Sequence, residues 1–167
     1  MKRILALCLT VLLVLSLAAC GNDSNDNNDD GANVVQNDFK ILYNGTVVVT
    51  GVEAKEIIPK LGNYTSEDGE ACGTNEKDVI YTLSGLEIET HVSGSSEIVR
   101  QIKILNDSVE TEKGITIGST KDDVVSAYGK NYEESSTGAL RYAGDTSAIE
   151  FHFGASGAVS NIYIRKK

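Results

Sequence analysis

The sequence predicts an α+β fold: a tandem repeat of a helix plus a three-stranded antiparallel meander, the helices packed on one side of a curved antiparallel sheet and a β-hairpin in front. Three observations carry this expectation. Gly114-Ile115-Thr116-Ile117-Gly118 reads as a strand-like lead-in, and a short capped helix follows it as far as Gly129. Glu56-Ile57-Ile58-Pro59-Lys60-Leu61-Gly62 lies over Asp123-Val124-Val125-Ser126-Ala127-Tyr128-Gly129 as an earlier echo. Beyond each helix the strand candidates also match: Tyr81 lies over Tyr142, Ile88-Glu89-Thr90-His91-Val92 over Ile149-Glu150-Phe151-His152-Phe153, and Val99, Ile102 and Ile104 over Val159, Ile162 and Ile164.

Met1-Lys2-Arg3 is a cationic start, Ile4 to Leu17 an almost unbroken apolar run, and Leu17-Ala18-Ala19-Cys20 closes it. The run is short for a permanent bilayer span, and small residues stand before a cysteine where a secretory signal is cut. Residues 1–19 therefore read as a lipoprotein signal peptide. Cys20 resembles the cysteine of bacterial lipoproteins that receives a diacylglycerol and becomes the mature N-terminus. Removing Lys2 and Arg3 with no acid takes the net charge from −9 to −11. A chain this acidic is not drawn to nucleic acid or anionic lipid; its one basic cluster is Arg165-Lys166-Lys167. Attachment to a membrane would rest on acyl chains rather than surface charge.

Residues 20–38 form an Asn/Asp-rich tether too polar to offset the entropy of ordering it. Asp26-Asn27-Asn28-Asp29-Asp30-Gly31 matches the first half of an EF-hand loop, but Asn37 stands where the bidentate Glu is needed, so no metal is expected. The roughly 130 residues from 39 to 167 suffice for a single globular domain, its two repeats falling at about 39–105 and 109–167. After processing and acylation Cys72 is the sole thiol, so no internal disulfide forms; Glu70 and Glu76 nearby would raise its pKa, which suits an idle cysteine.

Asn44-Gly45 between Phe39-Lys40-Ile41-Leu42-Tyr43 and Thr46-Val47-Val48-Val49 signals a hairpin, since both residues accept the positive φ of a type I′ turn. Glu53 to Leu61 reads as a helix shortened or distorted by Pro59. A polar loop, 63–78, leads to strands at 79–83, 86–92 and 97–105, with Ser84-Gly85 and Ser93-Gly94-Ser95-Ser96 as turns. In the second half Ser119 or Thr120 caps the helix, Asp122 and Asp123 complement its dipole, and Gly129 stops it. Strands follow at 139–143, 148–153 and 158–164.

Alternation puts Ile88, Thr90 and Val92, with Ile149, Phe151 and Phe153, on the core face. Glu89, His91, Glu150 and His152 then point outward, so both histidines of the chain stand on the outer face, each two residues from a Glu. Two His and two Glu suggest zinc or proton transfer. Against this, neighbours two apart on a strand are about 7 Å from one another, and no nucleophile motif or glycine-rich loop completes a catalytic set. Repeat symmetry accounts for the match. No catalytic residue, metal or cofactor is expected.

The pattern Cys72, Val79-Ile80-Tyr81, Glu87-Ile88-Glu89-Thr90, Ile102, Glu112-Lys113-Gly114-Ile115-Thr116-Ile117-Gly118, Val124 and Tyr128-Gly129 resembles small lipoproteins of Firmicutes that have no assigned activity. More distantly, the element order is similar to β-lactamase inhibitor protein and to the small outer-membrane assembly lipoproteins. The resemblance implies a non-enzymatic binding role through one face of the sheet, here Glu89, His91, Gln101, Lys103, Glu150, His152, Asn161 and Tyr163. It does not imply inhibition of a β-lactamase. The expected protein is a lipid-anchored, extracytoplasmic binding module with an envelope protein as partner. The alternative is an envelope enzyme or a small-ligand or metal binder using the outer face or the 63–78 loop.

Overall fold

The computed structural model describes residues 38–69 and 76–167. The signal peptide, Cys20, the half EF-hand match and Cys72 lie outside the described residues.

β1 (Ile41–Tyr43) and β2 (Thr46–Val48) form a hairpin in which Ile41 faces Val48 and Leu42 faces Val47. Asn44 and Gly45 hold φ of 49° and 79°, the positive values of the turn. α1 (Ala54–Ile57) is a single turn, continued by a 3-10 turn, Ile58–Lys60, with Pro59 in its first positions. Proline lacks the N–H that an α-helix would need there, so the segment tightens and stops. β3 (Thr65–Asp68), β4 (Glu76–Leu83), β5 (Leu86–Ser93) and β6 (Ser96–Ile104) follow. After α2 (Lys121–Tyr128) come β7 (Glu133–Glu134), β8 (Leu140–Ala143), β9 (Ser147–Phe153) and β10 (Val159–Lys166).

These strands join into one antiparallel sheet of eight, in the order β3-β4-β5-β6-β10-β9-β8-β7. The α+β expectation of a helix plus three-stranded meander written twice is corrected by this arrangement. Strand makes up 48% of the structure and helix 12%, so the fold is mostly β, with two short helices laid against a large sheet. Two physical causes lie behind the difference. Pro59 reduces the first helix to little more than one turn. The edge strands β3 and β7 are built from Thr65-Ser66-Glu67-Asp68 and Glu133-Glu134, exposed throughout, so they carry no apolar alternation and are strands only because β4 and β8 pair with them. Short, acidic edges of this kind also resist pairing with other chains.

One face of the sheet is apolar and covered. Leu86, Ile88, Val99, Ile102, Ile104, Ile149, Phe151, Ile162 and Ile164 are all buried there, with Ile41, Val48, Ile57, Leu61 and Val124 packed onto them. Each fully buried aliphatic or aromatic side chain contributes about 1.5–3 kcal/mol. Phe151, Tyr128 and Tyr142 form a mutual ring cluster, with centroids 5.1 to 6.1 Å apart. α2 presents Val124 and Tyr128 to this cluster because its start is fixed by a capping box: Thr120 Oγ1 accepts the Asp123 N–H at 3.1 Å while Asp123 Oδ2 accepts the Thr120 N–H at 2.9 Å. These hydrogen bonds, first to the Thr120 side chain, hold the Asp123 carboxyl below its ordinary pKa. No helix among the described residues is long and apolar enough to cross a membrane.

Candidate functional site

The opposite face of the sheet is the candidate site, because no helix among the described residues covers it and its side chains stand in cross-strand rows. Cross-strand register sets one row across all eight strands: Thr65, Thr82, Glu87, Lys103, Tyr163, Glu150, Arg141 and Glu133. The adjoining row runs Ile80, Glu89, Gln101, Arg165. Opposite charges meet within and between the rows, as cross-strand pairing favours. Lys103 Nζ is 3.5 Å from Glu87 Oε1, and Arg141 reaches both Glu133 at 2.9 Å and Glu150 at 3.6 Å. Arg165 donates to Glu150 through Nη1 and to Gln101 Oε1 through Nε at 2.7 Å, while Gln101 Nε2 donates to Glu89 Oε2 at 3.1 Å.

Tyr163 is at the centre. The Arg165 guanidinium lies 4.5 Å from its ring centroid, and His152 meets it edge-on at 5.3 Å and 78°. His152 Nε2 is in turn 3.6 Å from Glu150 Oε2. The ring is therefore held between Arg165 and His152 on β10, which has four strands on one side and three on the other.

All eight residues singled out from the sequence stand on this face, and the structure divides them into two groups. Gln101, Lys103, Glu150, His152 and Tyr163 surround the centre of the sheet, with Glu89 bound to Gln101 and Asn161 opposite His152 at the β9–β10 register. His91 belongs elsewhere. Its Nδ1 is 2.8 Å from Asp78 Oδ1 across the β4–β5 pair, and Arg100 Nη1 is 3.6 Å from the same oxygen. A β-bulge opposite Glu89 and Thr90 turns Arg100 outward to reach Asp78. His91 thus meets Asp78, and at 3.9 Å through Nε2 also Glu76, both on the next strand, rather than the Glu two positions along its own. His91 and His152 are separated by β6 and β10, about 14 Å at ~4.8 Å per strand, which removes a shared metal site. Among the described residues no group of three or more His, Cys, Asp or Glu could hold a metal ion.

Arg165, Arg141, Glu87 and Asp78 complete the face and were not singled out from the sequence. Arg165 continues the Asn161, Tyr163 alternation by one step, so that signal was present; it was masked by counting Arg165 with the basic C-terminal cluster. Of the 63–78 loop, the described part forms β3 and the start of β4, where Lys77 Nζ pairs with Asp68 Oδ1 at 2.7 Å.

On the covered side a second polar group closes the edge of the core. Glu97 Oε1 accepts from the Tyr81 hydroxyl at 2.8 Å and lies 2.7 Å from Thr90 Oγ1. Burial first, and the Glu97 carboxylate second, push the Tyr81 phenol up to about 12. Thr90 is buried while Tyr81 and Glu97 are half-buried, so the group closes the edge of the core.

Comparison with protein-family models, with curated proteins and with solved structures returns no match for this chain.

Proposed function

We propose that this protein is a membrane-anchored, extracytoplasmic lipoprotein, held by lipid on Cys20, whose folded part is a non-catalytic protein-binding domain of the cell envelope. The observation that carries the reading is the uncovered face of the eight-stranded sheet with Tyr163 clamped between Arg165 and His152 at its middle. Tyr and Arg are the side chains that most often dominate binding energy, and they do so at the centre of a contact. Seven spacings of ~4.8 Å and strands of eight residues at ~3.4 Å give a face about 34 Å wide and 27 Å tall at its centre. That is room for the ~800 Å² per partner of an ordinary specific interface. Ion pairs hold the side chains before a partner arrives, which lowers the entropy lost on docking.

The anchor is supported by the order of charges, apolar run, small residues and Cys20 at the N-terminus. The test uses the whole chain in its membrane. Acyl labelling of the wild type and of Cys20→Ser reads the anchor: label and membrane retention should both vanish in the variant. Affinity capture from intact envelopes then reads the face. A protein captured by the wild type and lost with Glu89, His91, Glu150 and His152 all changed to Ala supports the reading, and capture of nothing by either would sink it.

A further inference from the structure

The two histidines hold matching places in the two halves of the sheet, and their surroundings differ. His91 Nδ1 is 2.8 Å from Asp78 Oδ1 and so already has its carboxylate. His152 does not. Its Nε2 is shut off from solvent, has no hydrogen-bond partner among the described residues, and stops 3.6 Å from Glu150 Oε2. That separation lies just outside hydrogen-bond range, and a buried polar atom left unpaired costs free energy that a small closing movement would recover. The side chain as a whole is 38% exposed, so a proton reaches the ring from solvent. Neutral imidazole can face Glu150 with a lone pair, whereas imidazolium carries N–H on both nitrogens and must face it with a donor.

The oxygen that His152 faces is already in use. Arg165 Nη1 donates to Glu150 Oε2, and Arg141 Nε lies 3.6 Å from Glu150 Oε1. Arg165 does not need that bond to keep its place. Its Nε donates to Gln101 Oε1 at 2.7 Å, and its guanidinium lies 4.5 Å from the Tyr163 ring centroid. The groups around His152 are Glu150 on its own strand, Arg141 on β8 with Glu133 of β7 behind it, and Tyr163 and Arg165 on β10, with Asn161 directly opposite. Beyond β10, Lys103 is paired with Glu87 and Gln101 is neutral. Lys121 and Glu134 meet near Phe153 on the covered side, where Glu134 stands opposite buried Leu140. One carboxylate thus serves two cations, and a proton on His152 makes a third.

We propose that His152 is a proton-operated control of the outer face. Protonated, its Nε2–H takes Glu150 Oε2, and Arg165 gives up that oxygen while Gln101 and Tyr163 hold the guanidinium where it is. The freed Nη1 then binds a carboxylate of the partner. That makes the partner surface an acidic segment, since the planar fork of arginine matches a carboxylate. Binding tightens as pH falls through the range in which histidine ordinarily gains its charge, about pH 8 to 5. This use of the device rests on the outer face being the binding surface; the exchange between His152 and Arg165 does not.

The test is a titration from about pH 8 to 5 of the isotope-labelled full chain in detergent micelles, followed by nuclear magnetic resonance. The Arg165 Cζ and Tyr163 ring signals should move with the same midpoint as the His152 imidazole. They should stay still in His152→Gln and move as in the wild type in His91→Gln. An Arg165 signal that ignores the His152 titration, or that moves equally in His152→Gln, overturns the proposal. The wild-type signals decide this by themselves even where His152→Gln does not fold. Penta-aspartate, which stays ionised over this range, should bind at least about threefold more tightly at pH ~5.5 than at pH ~7.5, with no such gain in His152→Gln. No binding, equal affinity at the two pH values, or an equal gain in the variant overturns it as well. Capture of no envelope protein would sink the binding role and leave the His152-linked shifts in place, so the two failures are told apart.

Discussion

Asp38 and Ser147 are 109 residues apart and joined twice: one carboxylate oxygen of Asp38 accepts the Ser147 backbone N–H at 2.9 Å and its hydroxyl at 3.1 Å. Thr146 adds its own N–H at 2.8 Å, and the Lys167 N–H donates to the Thr146 carbonyl at 2.9 Å. The start of the described chain and its C-terminus therefore meet at a single turn, beside the central strands.

This latch predicts a dependence on acid. Burial pushes the Asp38 pKa up, but the bonds from the Thr146 and Ser147 side chains and N–H groups outweigh it and hold the carboxyl below its ordinary 3.8. A group depressed on folding stabilises the protein fully above its unfolded pKa and ceases to do so as pH falls through the folded value. The contribution should thus be complete above pH ~4 and fade below it. Asp38→Ala should cost about 1–3 kcal/mol at pH 7. Denaturant midpoints from pH 7 to 2 would show the wild type and variant converging at the acid end; parallel curves would contradict the latch.

Arg165 and Tyr163 should separate binding from stability. Ion pairs on a solvated face contribute about 0–1 kcal/mol, and Glu150 keeps Arg141 when Arg165 is removed. Arg165→Ala or Tyr163→Ala should therefore shift the melting temperature by only a few degrees while abolishing capture of an outer-face partner. Calorimetry and capture on the same samples decide this. A variant that unfolds would mean the face serves the fold instead.

How far the sequence carried can be judged at particular residues. Alternation along Glu87-Ile88-Glu89-Thr90-His91 located β5 and its outward side chains, and Asn44-Gly45 located the hairpin turn, since both are local signals. The class was misjudged because it depends on edges: Thr65-Ser66-Glu67-Asp68 has no local strand signal and becomes β3 only by pairing with β4. The matched runs after each helix marked six strands in place, but did not show that two acidic edge strands extend them to eight or that β6 and β10 form the join. Nor could spacing show that His91 would find Asp78, because that contact is made across strands and beside a bulge.

Phe151 should be the most costly single truncation. It is fully buried, with the rings of Tyr128 and Tyr142 centred 5.1 and 6.1 Å away, and it lies opposite Leu140 and Ile162 on the flanking strands. Phe151→Ala should cost about 3–5 kcal/mol by lost burial and the cavity left behind. Against the 5–15 kcal/mol total of an ordinary domain, chemical denaturation would show a much lower midpoint or no folded baseline. A loss below about 1 kcal/mol would mean the surrounding rings collapse into the space.

Gly85 tests how closely residues 105–109 pack against the β4–β5 turn. Its φ is +81°, in the left-handed region that glycine tolerates and a β-branched residue does not. A Cβ there would lie 2.6 Å from Ser108 Oγ, 2.8 Å from Asn106 Oδ1 and 3.0 Å from Val109 Cγ2, too close to all three. The side chains of Asn106, Ser108 and Val109 must move aside or the turn must change, and the Leu105 N–H bond to the Gly85 carbonyl at 2.9 Å is strained with it. Gly85→Val should cost about 1–3 kcal/mol through backbone strain and crowding. It should also shift the amides of Asn106, Ser108 and Val109, with those of the outer face unchanged. Gly94→Val is the control: φ there is +62° but the space is open, so strain alone remains and residues 106–109 are untouched. Equal losses of stability from the two changes would show that crowding against residues 106–109 adds nothing to the backbone strain.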